Sequence, residues 1–183
     1  MKKNLLVIAL LSALTAPAFA EDMYASIGLG SSAIPDDGSG ITASGLSYSL
    51  LFGYKINKNF AAEVGYTSLL SSATMNGLSA GATGSVTANG FEIAGIGSYP
   101  INDQFSVFYR LGYASMSVTP NVSAPGYTNN TSQTNAGLVY GPGIQYDINK
   151  QIGVRVGYNI YNLPGSNGDV IINQPYVSAS YGF

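Results

Sequence analysis

The chain has 183 residues, with seven Lys/Arg against nine Asp/Glu, a formal charge of −2, and neither cysteine nor histidine. Disulfides, thiolate metal sites and cysteine nucleophiles are thereby excluded, and the commonest metal ligand and usual general base are missing. Only 9% of residues are charged, against roughly 25% in ordinary soluble domains, and no basic patch exists to hold a nucleic acid.

Residues 1–20 read as an export signal. Met1-Lys2-Lys3 is basic, Leu5 to Leu14 is largely apolar, and Ala18-Phe19-Ala20 is an A-x-A-like cleavage site. The apolar run is too short for a spanning helix. The expected mature domain is 21–183. Without Lys2 and Lys3 it keeps five basic and nine acidic residues, a net charge of about −4. No later stretch is apolar enough for a membrane helix. Low charge, 14 tyrosines and 23 glycines instead suit a transmembrane barrel, whose apolar residues occupy alternate positions.

The first expected strand is Met23 to Gly30. A pattern then recurs three times: Tyr54-Lys55-Ile56-Asn57, Tyr99-Pro100-Ile101-Asn102 and Tyr146-Asp147-Ile148-Asn149, each followed by a strand containing Gly-Tyr. The Ile-Asn pairs lie 45 and 47 residues apart. A propeller has a similar period, but a blade needs four strands and each repeat here supplies two. Each pair marks a short turn between strands that alternate over roughly ten residues, the length a tilted strand needs to cross a bilayer. Phe60, Ala62, Val64 and Tyr66 share one face. So do Phe105, Val107, Tyr109, Leu111 and Tyr113, and likewise Ile152, Val154, Val156, Tyr158 and Ile160. The opposite face is Gly, Ser and Ala with isolated charges, as a narrow lumen requires. The last strand, Gln174 to Phe183, has Val177, Ala179, Tyr181 and Phe183 on its apolar face.

The expectation is an all-β fold, an eight-stranded antiparallel up-and-down transmembrane β-barrel with both termini and the short turns in the periplasm. Its long connections, 31–43, 70–87, 119–134 and 163–173, are rich in loop formers and face outward. A ten-stranded variant arises if 79–87 and 126–134 form extra hairpins. Tyr54, Phe60, Tyr99, Phe105, Tyr146 and Phe183 form an expected interfacial girdle near the short turns. Tyr48, Tyr66, Tyr113, Tyr140 and Tyr158 form a second girdle.

On the turn sequences, the Gly-Tyr pairs, the export signal and the terminal Phe183, the mature chain resembles the small eight-stranded outer-membrane barrels. These are the OmpA-like transmembrane domains and the opacity-type, neisserial surface protein A-like group. The resemblance implies residence in the outer membrane of a Gram-negative bacterium and a role as envelope structural protein, adhesin or host-factor binder. It also implies that Phe183 and Tyr181 form the signal read by the barrel-assembly machinery, with outer-membrane lipid and periplasmic chaperones as further partners, and a monomer.

Four charges fall mid-strand on the inward face: Glu63, Glu92, Arg110 and Arg155. Buried charges need partners, so two acids and two bases imply a lumenal salt-bridge network, either a structural plug or a gate. Leu51, Ile96, Phe108 and Tyr161 narrow the path further. Glu63 and Glu92 as an acid–base pair would lack a cleft and lie beside two arginines. A lipid-cleaving Ser would lack its His base. Asp36, Asp37 and Asp169 could gather a cation, but solvated loops explain them. No catalytic residue, metal site or cofactor is expected. The expected function is a plugged barrel that stabilises the envelope and meets a host or surface ligand through four extracellular loops; the alternative is a small, porin-like ion or solute channel.

Overall fold

A computed structural model describes residues 22–36, 40, 42–76, 82–124, 127–129, 131–165 and 168–183. The expected export signal lies outside them. The strands are β1 (Met23–Ile34), β2 (Thr42–Lys55), β3 (Phe60–Asn76), β4 (Thr83–Pro100), β5 (Phe105–Ala124), β6 (Tyr127–Asn129), β7 (Gln133–Asp147), β8 (Ile152–Leu163) and β9 (Val170–Gly182). Neighbours pair antiparallel, and β1 pairs with both β2 and β9. The sheet therefore closes into an eight-stranded barrel made of every strand except β6. That three-residue strand folds back on the tip of β5, with Val122 opposite Asn129, and adds nothing to the wall.

Alternation produces the two faces. Ile27, Leu29, Leu46, Leu50, Val64, Phe91, Ile93, Leu111, Ile144, Val156 and Val177 all point outward and are exposed, Leu46 by 75% and Phe91 by 68%. Apolar exposure on this scale requires a partner or a membrane. A closed barrel is one of the two ways a backbone can cross lipid with every polar group paired.

The recurring Ile-Asn sequence has one structural cause. The amides of Ile56 and Asn57 both donate to the Phe60 carbonyl. Asn57 Oδ1 accepts from the amides of Asn59 (2.8 Å) and Phe60 (2.9 Å). Asn102 repeats this with Gln104 and Phe105 at 2.9 and 2.8 Å, as does Asn149 with Gln151 and Ile152 at 2.8 Å. An asparagine side chain thus satisfies two backbone donors that the tight turn would otherwise orphan.

At the opposite end the strands outrun their expected limits. β3, β4 and β5 continue to Asn76, from Thr83 and to Ala124. Much of 31–43, 70–87, 119–134 and 163–173, expected as loop, is therefore sheet. Ser, Thr and Asn there pair well as strand residues because a closed sheet supplies the neighbours. The register of β3 slips against both neighbours near Ser68, Leu70 and Ala73. A β-bulge re-aims the side chains beyond it, and Thr67, Ser68, Leu69 and Leu70 are consecutively buried.

Replacing Asn102 with Ala should remove two turn hydrogen bonds and destabilise the barrel by about 1–3 kcal/mol, read as a lower urea midpoint of the refolded protein in lipid vesicles.

Candidate functional site

Strand parity sends Tyr24, Glu63, Glu92, Arg110, Arg155 and Tyr161 into one closed lumen, where all are buried and Glu63 and Arg110 are each 2% exposed. The four charges meet. Arg110 binds Glu92 with Nη2–Oε1 at 2.9 Å and Nη1–Oε2 at 3.5 Å, and its Nε lies 3.5 Å from Glu63 Oε2. Arg155 Nη1 is ion-paired with Glu63 Oε1. Glu63 therefore bridges two guanidiniums, and the four charges sum to zero.

Neutral groups complete the network. The Tyr24 hydroxyl donates to Glu63 Oε1 (2.7 Å) and accepts from Arg155 Nη2 (3.3 Å). Thr67 Oγ1 and the Tyr161 hydroxyl donate to Glu92, at 2.9 and 3.0 Å. Arg155 Nε donates to Gln145 Oε1 (2.7 Å), whose Nε2 donates to Asp147 Oδ1 (2.7 Å) toward the short-turn mouth. Asn159 donates to Gln174 at 3.0 Å. Such compensation is what permits charge in a closed interior.

Three glycines make room for aromatic rings in this layer. Tyr24 lies opposite Gly53, Phe108 opposite Gly143 and Tyr176 opposite Gly157. A Cβ on Gly53 would stand 2.1 Å from the Tyr24 ring, and one on Gly143 2.2 Å from Phe108. The rings lie against bare backbone. The Arg155 guanidinium then stacks between Tyr24 and Phe108, 5.2 and 5.5 Å from their centroids, a cation–π arrangement.

Toward the long connections the lumen is largely apolar. Ala43, Leu69, Leu70, Ala73, Val86, Ala88, Ala114, Met116, Val139, Leu163 and Ile172 form one buried cluster, and Tyr161 joins it to the charge layer through its hydroxyl. Within the charge layer remains a cavity of about 10 Å³ beside Glu63, Glu92, Arg110 and Arg155, roughly one water in size. Sequence reasoning missed the apolar layer. Parity placed Leu51, Ile96, Phe108 and Tyr161 inward, and all are buried, but Leu69, Leu70, Met116, Leu163 and Ile172 stood in or near supposed loops. It also missed Tyr24, Thr67 and Gln145 as partners of the charges, although each shares their parity.

Tyr54, Phe60, Tyr99 and Phe105, expected as a girdle near the short turns, are exposed on the outer wall. Tyr146 packs on Phe105, centroids 4.7 Å apart. Phe183 lies one residue past β9, edge-to-face with Tyr181 at 5.6 Å, its amide bonded to the Met23 carbonyl at 3.0 Å. Asp36 accepts from the Gly40 amide at 2.7 Å, and Asp37 lies outside the described residues. Among those residues no group of three or more Asp or Glu could hold a metal.

A family model described as "Outer membrane protein beta-barrel domain" matches residues 6–183. No curated protein matches the chain. Among solved structures it is similar to neisserial surface protein A, with TM-score 0.68 and 14% identity over 89% of this chain and 97% of that one. It is also similar to the N-terminal β-barrel domain of Pseudomonas aeruginosa OprF, with TM-score 0.62 and 11% identity over 88% and 98%. Ail, the attachment invasion locus protein of Yersinia pestis, gives 0.61 and 20% over 88% and 98%. Another structure of Ail is a complex with the heparin analogue sucrose octasulfate. At these identities the shared property is the fold.

Replacing Arg110 with Ala would leave Glu92 without its guanidinium partner and should cost about 3–5 kcal/mol, whereas Arg110→Met with Glu92→Gln should cost clearly less. Urea unfolding of the refolded variants measures both.

Proposed function

The chain belongs to the outer-membrane β-barrel family, and we propose that it works without chemistry, as a plugged barrel that stabilises the envelope and carries a surface for a host or environmental ligand. The observation that carries this reading is the occupied lumen. A neutralised charge layer and an apolar layer lie in series, and the cavity left within the charge layer is about 10 Å³. An ion would have to break the ion pairs and then enter a hydrocarbon-like segment, and burial of an unpaired charge there is costly.

In this reading the short turns and both termini face the periplasm, and residues 1–20 are removed on export. The aromatic girdles sit at the two interfaces, Phe183 with Tyr181 supports recognition by the assembly machinery and its chaperones, and the barrel acts as a monomer. The ligand chemistry follows from charge. No Lys or Arg occurs in 31–43, 70–87, 119–134 or 163–173, whereas Asp36, Asp37 and Asp169 do. Ail holds a sulfated polyanion; the connections here carry no cation to meet one. The reading assigns them a neutral or cationic ligand.

A second reading, a small channel, draws on the open mouth at the short turns. About 360 Å³ there reaches inward as far as Arg155. Planar-bilayer recording separates the two. The plugged reading expects no steady openings from the parent protein; openings that change on Arg110→Ala would sink it. Whole-cell binding comparing the parent with connection-deletion variants tests the surface role, with loss of binding expected and no competition by heparin.

A further inference from the structure

The outward face of β4 has a gap. Its successive outward positions are Phe91, Ile93, Gly95, Gly97 and Tyr99. Most barrel glycines have an internal reason: a Cβ on Gly65, Gly90, Gly112 or Gly141 would lie 1.7–2.3 Å from a backbone carbonyl oxygen of a neighbouring strand. Gly95 and Gly97 have none. A Cβ at Gly95 would meet only the Leu111 carbonyl, and one at Gly97 only the edge of Phe60, each at an ordinary 3.8 Å. Neither has a positive φ. Glycine inside a strand weakens it and often marks a site that something approaches closely.

Gly97 lines a groove of about 500 Å³ on the outer wall, bounded by Phe60, Tyr99, Val107 and Tyr109, within the roughly 300–1,000 Å³ of small-ligand sites, and Gly95, the next outward position on β4, continues the bare strip of wall beyond it. The groove shares its rim, Asn59, Phe60 and Ser98, with the lumen mouth of about 360 Å³. The rim is braced: Asn59 Nδ2 donates to the Ser98 carbonyl at 2.9 Å and the Ser98 amide to the Asn59 carbonyl at 2.7 Å. Over that rim stand Lys55 and Lys58, with Arg155 deeper in the mouth. The acids facing them are Asp103 and Asp147, and Asp147 already accepts from Gln145. An apolar trough at membrane height thus meets a cationic edge.

We propose that the groove and the mouth together bind one anionic glycerophospholipid, with an acyl chain along Gly95 and Gly97 and the headgroup phosphate over the rim against Lys55 and Lys58. The proposal rests on the membrane reading above. A second copy of the barrel fits less well, because a wall-to-wall contact leaves the mouth unfilled and sets lysine-bearing turns against each other.

Native mass spectrometry of the refolded full chain, with phosphatidylglycerol or phosphatidylcholine added to the micelles, tests it. The parent should carry one phosphatidylglycerol. Gly97→Leu and, independently, Gly95→Leu should each lower the bound fraction at least tenfold, since open space lets both fold. Lys55→Gln with Lys58→Gln should abolish the preference over phosphatidylcholine, and Val156→Leu on the far wall should change nothing. Groove variants that bind like the parent would overturn the proposal, as would a dimer that Gly97→Leu dissociates. Heat-modifiable gel migration keeps the two readings apart. If the parent lacks it, the membrane-barrel reading falls as well; if the parent has it and the groove variants still bind, only the lipid site falls.

Discussion

Closure of the sheet is the constraint from which the other features follow. Because β1 pairs with β9 as well as β2, every wall strand has two neighbours and no edge remains within the barrel. That satisfies the backbone in lipid. It also forces every second side chain of eight strands into one narrow space, where eight-stranded barrels have room for little more than their own side chains. The inward sequence must therefore solve a packing problem and an electrostatic one together.

The chain solves them at different depths. Near the middle, Glu63 and Glu92 face Arg110 and Arg155, and the hydroxyls of Tyr24, Thr67 and Tyr161 saturate the carboxylates. Space for these large groups comes from Gly53, Gly143 and Gly157, on which aromatic rings lie. Further along, Leu69, Leu70, Met116, Val139, Leu163 and Ile172 form an apolar cluster, and the same end also buries the small hydroxyls of Ser32 and Ser47. The apolar layer contributes burial in the ordinary way. The charge layer contributes less net stability than its contacts suggest, because desolvation offsets the attraction; what it gives is a fixed arrangement that no single partner can leave cheaply.

Much of this was legible in the sequence. Period-two alternation identified the wall, and the Ile-Asn turns located its short end, because a tight hairpin needs a side-chain acceptor where Asn57, Asn102 and Asn149 stand. The inward face of Glu63, Glu92, Arg110 and Arg155 follows from parity alone. Their partners do not, since parity gives a face and not a depth: Tyr24 reaches Glu63 across 39 residues and Arg155 across 131. The apolar layer was hidden twice over. Serine, threonine and asparagine made its strands read as loops, and the slips in β3 turned Leu69 and Leu70 inward together, which strict alternation forbids.

The lumen is filled in its apolar half and open at the short-turn mouth. The cysteine-free chain allows a direct measurement: single cysteines at Ala114, inside the apolar layer, and at Ser106, in the mouth, exposed to a charged thiol reagent in sealed vesicles. Ser106→Cys should react from the short-turn side alone, and Ala114→Cys should stay unmodified from both sides until the barrel is unfolded. Ready labelling of Ala114→Cys in the folded protein would contradict the account.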